Sequence, residues 1–144
     1  MKTLNTYIIE KLKIRKSDDT VRPITKNELP KFIDYLYNNC LDTKKPTNNK
    51  EEYVGVYFAD SNYWEVSDIY YIKIDDLEKH TDKDSVMTIF YNLAKRMNNK
   101  YTFADILMWD PTRNDYCQFA RAALRTRDKM WHLEYIKLDK HPFV

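Results

Sequence analysis

Apolar side chains recur along this chain with two periods, and the switch between them marks out the elements. Leu4, Tyr7, Ile8 and Leu12 fall at helical spacing, so Thr3 to about Ile14 reads as a short amphipathic helix. The polar run Lys16 to Thr20 interrupts the pattern and divides the chain into a leader, 1–16, and a main domain, 20–144. Val21-Arg-Pro-Ile24 reads as a short edge strand, where a proline is tolerated. Thr25-Lys-Asn-Glu28 has the form of a capping box, and Leu29, Phe32, Ile33 and Leu36 continue as a helix to about Asn38. This requires Pro30 to lie in the first turn or so.

Beyond a polar loop, Leu41 to Glu52, the period becomes two. Tyr53–Phe58 is rich in β-forming residues, Asp60–Asn62 is a turn, and Trp64, Val66, Tyr70, Ile72 and Ile74 alternate with polar neighbours. These runs predict an antiparallel hairpin. A charged connection, Asp75 to Asp84, leads to a helix opening at Ser85, whose apolar face is Val86, Ile89, Phe90, Leu93 and Met97. Thr102–Trp109 is an apolar run of strand length, and Asp110-Pro111 breaks it. Tyr116, Phe119, Ala123 and Leu124 predict a helix over Asn114 to about Arg125, and Met130–Leu138 a last strand. The fold class is α/β: a mixed central sheet with flanking helices, preceded by the N-terminal amphipathic helix. The helix between Trp64–Ile74 and Thr102–Trp109 predicts that those strands run parallel and splay apart at one end.

Composition narrows the function. The 144 residues suit one domain, and 43% hydrophobic residues supply its core. A net charge of +2 gives no ground for a nucleic-acid partner. No run approaches a membrane span, and the opening residues lack the apolar block of a signal peptide, so the expected compartment is the cytoplasm. Cys40 and Cys117 form no motif, and His80, His132 and His141 offer no metal-ligand spacing. Among the abundant aromatic residues, Tyr63, Trp64, Tyr70, Tyr71, Trp109 and Trp131 are expected to build the core and the hairpin faces, with some available for an exposed interface patch. The single glycine bears directly on phosphate binding, which normally needs several.

Val21-Arg-Pro-Ile-Thr-Lys-Asn-Glu-Leu-Pro-Lys-Phe-Ile-Asp-Tyr-Leu36 resembles the opening strand and helix of the GNAT (Gcn5-related N-acetyltransferase) family. Trp64-Glu-Val-Ser-Asp-Ile-Tyr-Tyr-Ile72 is similar to its central strand, Ser85–Lys100 to the following helix, and Asp105 to Lys137 to its closing strand–helix–strand. The resemblance implies an acetyl-CoA site in the connection before Ser85, where loop amides and the helix start receive the pyrophosphate. Here that stretch is Glu78-Lys-His-Thr-Asp-Lys-Asp84, with Thr81 and Lys83 at the family's glycine positions and Asp82 and Asp84 adding negative charge. Lys79, His80 and Lys83 remain as cations for phosphate, and Thr81 or Asp84 suits a helix cap equally well. The resemblance further implies a general base on or beside the central strand, Glu65 or Asp68, and a tyrosine that protonates the departing thiolate. Phe119-Ala120 stands where that tyrosine is often found, and Tyr116, a turn earlier, is the substitute.

Two functions follow. One is a binding or structural module that keeps the acetyltransferase fold, has no cofactor and acts on a protein partner. The other is an acyl-CoA-dependent N-acetyltransferase using acetyl-CoA through an atypical loop. The Trp64–Asp68 stretch and the glycine-free loop look like those of virion-associated, acetyltransferase-like proteins of tailed phages, which implies host cytoplasm or the virion as the location. Leu4, Tyr7, Ile8 and Leu12 would then serve docking or targeting, because so short a helix is marginal alone and needs a surface.

Overall fold

A computed structural model of the chain describes residues 24–77, 83–125 and 130–135. The predicted N-terminal helix, the Val21–Pro23 part of the opening strand and the loop stretch 78–82 lie outside these residues.

Thr25 and Glu28 form the expected capping box. The Thr25 hydroxyl donates to Glu28 Oε1 at 2.8 Å, and the amides of Thr25 and Glu28 each donate to the other's side chain at 3.3 Å. The box closes the turn that leads into α1, Leu29–Asn39, whose N-cap is Glu28 without a side-chain cap bond and whose Pro30 lies in the first turn, where a missing N–H costs nothing. After a loop and a 3₁₀ turn, Lys50–Glu52, come β1, Tyr53–Ala59, and β2, Tyr70–Lys73. A single helical turn, α2, covers Ile74–Leu77, and α3 covers Lys83–Met97, beginning two residues before Ser85. Three strands close the described chain: β3, Phe103–Asp110, β4, Asp115–Arg125, and β5, Met130–Tyr135.

The sheet order is β2-β1-β3-β4-β5, and every neighbouring pair is antiparallel. The expected mixed sheet is thus corrected to an antiparallel one. β2 and β3 do point the same way, but β1 lies between them and hydrogen-bonds to both. No parallel pair, and so no splayed opening between those two strands, exists among the described residues. The cause is the helical connection: it carries the chain across β1 and not onto the open side of β2.

Of the segment 114–125, expected to be a helix, Asn114 is a turn residue with φ +55° and Asp115–Arg125 is the strand β4. It pairs with β3 over Asp115–Ala123 and with β5 over Ala120–Arg125, and these ladders outweigh the helix propensity of Ala-Arg-Ala-Ala-Leu-Arg. β2 is likewise shorter than expected, because Trp64–Ile69 belongs to a loop.

One sheet face carries Val54, Val56, Phe58, Ile72, Ala104, Ile106, Met108, Ala120 and Ala122. It packs against Ile33 and Leu36 of α1 and Ile89, Phe90, Leu93 and Ala94 of α3. The opposite face holds a second cluster of Tyr71, Leu107 and Tyr116, edged by Tyr53, Tyr57 and Trp109. Gly55 lies in β1 between Leu107 and Tyr71, and a Cβ there would meet atoms of both at 3.3 Å. The chain's one glycine therefore serves strand packing.

Candidate functional site

Asp105 is a carboxylate inside an apolar strand, fully excluded from solvent. Such a group needs a full set of donors. They come from β4 through a β-bulge: Leu107 pairs with Gln118 and Ile106 with Ala120, so Phe119 has no partner in β3. The extra residue reverses the facing of every position beyond it. Gln118 and Arg121 consequently reach the same side of the sheet as Asp105. Gln118 Nε2 donates to Asp105 Oδ2 at 2.7 Å, and Arg121 donates through Nε to Oδ1 at 2.6 Å and through Nη2 to Oδ2 at 3.1 Å. The bidentate carboxylate raises the guanidinium pKa still further. Gln118 also donates to the Tyr57 hydroxyl, whose pKa burial and Asp105 push well above the ordinary phenol value.

This cluster reaches the β1–β2 connection through Tyr63. Its hydroxyl accepts a hydrogen bond from Arg121 Nη2, and its ring stands edge-on to Phe103 with centroids 5.1 Å apart. The Arg121 guanidinium lies 4.1 Å from the Phe103 ring centroid. Tyr63 has φ +58°, in the left-handed region that a bulky residue occupies at a cost of about 1–2 kcal/mol. The Arg121 and Phe103 contacts hold it there.

Tyr63 is followed by Trp64, whose surface is 85% exposed. The exposure does not come from a slack loop. Asp60 Oδ1 accepts from the Trp64 amide at 2.8 Å and the Glu65 amide at 3.4 Å. The Ser67 amide donates to the Phe58 carbonyl at 2.8 Å, and the Phe58 amide donates to the Ser67 hydroxyl oxygen at 2.9 Å. Val66 bridges to Ala59, where the register of the β1–β2 ladder would have placed Ser67, so the chain slips by one residue on leaving the strand. The Glu65 carboxylate accepts from Asn98 Nδ2 at 2.7 Å and Lys100 Nζ at 3.1 Å, which ties the loop to the end of α3. Val66 and Ile69 are exposed beside Trp64. The result is an indole presented on a braced loop with acidic neighbours Asp60, Glu65 and Asp68.

The residues singled out for acetyl transfer are not brought together. Glu65 and the exposed Asp68 lie in the loop at the Ala59 end of β1, whereas Tyr116 packs near Tyr53, at the other end. Seven residues of strand separate those ends by about 20 Å. The hydrogen bonds from Lys100 and Asn98 hold the Glu65 carboxyl below its ordinary pKa, which weakens it as a base. The Tyr116 hydroxyl donates to the Lys50 carbonyl at 2.6 Å, and burial pushes its pKa well up. Lys83 and Ser85 fall in the first turn of α3, while Lys79, His80 and Thr81 lie outside the described residues.

Sequence reasoning missed Asp105, Gln118 and Arg121. The signal was present as a lone carboxylate within Phe103-Ala-Asp-Ile-Leu-Met-Trp109, since a charge on a buried strand implies a partner nearby. Among the described residues no group of three or more histidine, cysteine or acidic side chains is placed to hold a metal, and no helix is long and apolar enough to cross a membrane. Comparisons with family models, curated proteins and solved structures found no match to this chain.

Proposed function

We propose that this chain is a binding or structural module that docks on a protein partner through the Trp64 loop, and not an acyl-CoA-dependent N-acetyltransferase. The observation that carries the reading is an indole 85% exposed on a loop that Asp60, Ser67 and Glu65 hold in place. Burying such a side chain on a partner gains area with little further ordering, the behaviour of an interface anchor. The side chains suited to acetyl transfer support the same reading. Glu65 is engaged by Lys100 and Asn98, and Tyr116 by a backbone carbonyl about 20 Å of strand away.

Thermal melting with acetyl-CoA tests the proposal. A ligand at 100 times its Kd stabilises by about 2.7 kcal/mol, so a working cofactor site moves Tm visibly. The expected result is no shift at millimolar acetyl-CoA for either the wild type or Trp64→Ala, and the same Tm for both without ligand. A saturable shift restores the enzyme.

A further inference from the structure

We propose that a second copy of this chain pairs with the outer edge of β5, antiparallel about a two-fold axis, so that the sheet runs on from one copy into the next. This goes beyond the Trp64 loop, which joins β1 to β2 at the other side of the sheet. The two ends of the strand order differ. β2 has four residues and passes directly into the helical turn α2. Asp42 bridges to its outer side, where the Tyr71 amide donates to the Asp42 carbonyl at 2.7 Å. β5 has six residues, and among the described residues nothing pairs with its outer side. Its sequence, Met-Trp-His-Leu-Glu-Tyr, holds no lysine and no proline, the residues that most often keep an open edge from pairing. Such an edge is a template for another strand.

The strand is complementary to itself in one register, which is why the occupant is a second copy. Two β5 edges brought together antiparallel are related by an axis normal to the sheet, which keeps the helices of both copies on one face. Residues directly opposite each other on neighbouring strands share a face, so opposed positions have the same parity and the axis passes through a residue. Two such registers within Met130–Tyr135 overlap by five residues. Centring on His132 sets the two His132 positions against each other and Glu134 against Met130. Centring on Leu133 sets His132 against Glu134 and Trp131 against Tyr135, each twice by symmetry. Opposite-charge and aromatic cross-strand pairs are favourable, and like charges directly opposed are not, so the Leu133 register prevails. It also agrees with the facing set by β4. Leu133 and Tyr135 pair with Ala122 and Ala120 of the helix-packed core, so Trp131, Leu133 and Tyr135 belong to that face. His132 and Glu134 belong to the other, opposite Ala123 and Arg121. The same patch meets itself, so the contact is isologous and closes at two copies.

Sedimentation of the full chain at pH 6, where an ordinary histidine is mostly charged, tests this. Mass is expected to double between micromolar and millimolar concentration and to rise no further. His132→Glu opposes carboxylates twice and Glu134→Lys opposes cations twice, so each alone should weaken dimerisation by about tenfold. Mixed in equal amounts the two variants should pair with each other, since each new charge then faces an opposite one. Trp64→Ala should leave the dimer intact. Amide exchange on the wild type needs no variant and decides the matter alone if either charge variant fails to fold. Alternate β5 amides should exchange fast in the dilute monomer and become protected at high concentration. A chain monomeric at millimolar concentration, a dimer unmoved by both charge variants, or folded variants that do not restore each other overturns the pairing. Loss of the dimer in Trp64→Ala moves self-association to the loop and overturns it as well. Alternate β5 amides already protected in the monomer would mean that the chain covers its own edge, and that too defeats the proposal.

Discussion

Arg121 grips both oxygens of Asp105, with Nε 2.6 Å from Oδ1 and Nη2 3.1 Å from Oδ2. A bulge makes this possible, because Gln118 and Arg121 share a face only when the register with β3 skips Phe119. Removing one member of a buried, hydrogen-bonded pair leaves the other's charge uncompensated. Asp105→Ala should therefore lower unfolding stability by about 3 kcal/mol in urea titration. A double change, Asp105→Leu with Arg121→Met, should recover most of that loss, because both charges go together. Equal loss in single and double variants would mean that the pair is not what matters.

The Glu65 link to Lys100 and Asn98 is pH-dependent in a defined direction. The folded carboxyl is held below its ordinary value by the Lys100 hydrogen bond first and the Asn98 one second. Its contribution is present above the unfolded carboxyl pKa of about 4.3 and is lost as pH falls through the lower folded value. NMR titration of the Glu65 side chain should give a midpoint below about 4.3, and Lys100→Ala should raise it. A midpoint at or above the ordinary value in the wild type would show that the tie is absent in solution.

Tyr116→Phe removes the bond from the phenol to the Lys50 carbonyl and leaves the ring packing on Tyr71 and Trp109. The expected cost is about 1 kcal/mol. Because burial raises the folded phenol pKa, Tyr116 contributes stability that is full below about pH 10 and lost as pH rises further. The difference in stability between wild type and Tyr116→Phe should accordingly shrink at strongly alkaline pH. A constant difference would indicate that the hydroxyl does not titrate differently in the folded state.

The sequence was most legible where one period ran unbroken. Leu29–Leu36 with its Thr25–Glu28 box, Tyr53–Phe58 and Ile89–Met97 all form the elements their spacing predicts. It misled where local geometry interrupts the period. The bulge at Phe119 spreads the apolar positions of β4 to Tyr116, Phe119 and Ala123, a three-and-four spacing that imitates a helix. Trp64 and Val66 alternate like a strand, yet the left-handed Tyr63 and the Asp60 bonds bend that stretch into a loop. The candidate site was legible only in part for the same reason. Glu65 stood out as a residue, whereas Trp64 was expected to pack in the core or on a hairpin face and is instead 85% exposed. Its loop is set by contacts from Arg121 and Lys100, which are distant in sequence and close only in the fold.

The claim at the centre of this account is that Trp64 is exposed without being mobile. ¹⁵N relaxation of the wild-type chain measures this directly, reading the backbone amides of 60–67 and the Trp64 indole N–H together. The account predicts order parameters of about 0.85 for the amides of Trp64, Glu65 and Ser67, as in folded backbone, with rapid solvent exchange at the indole N–H. Order parameters below about 0.6 in that stretch, or an indole protected from exchange in the monomer, would contradict it.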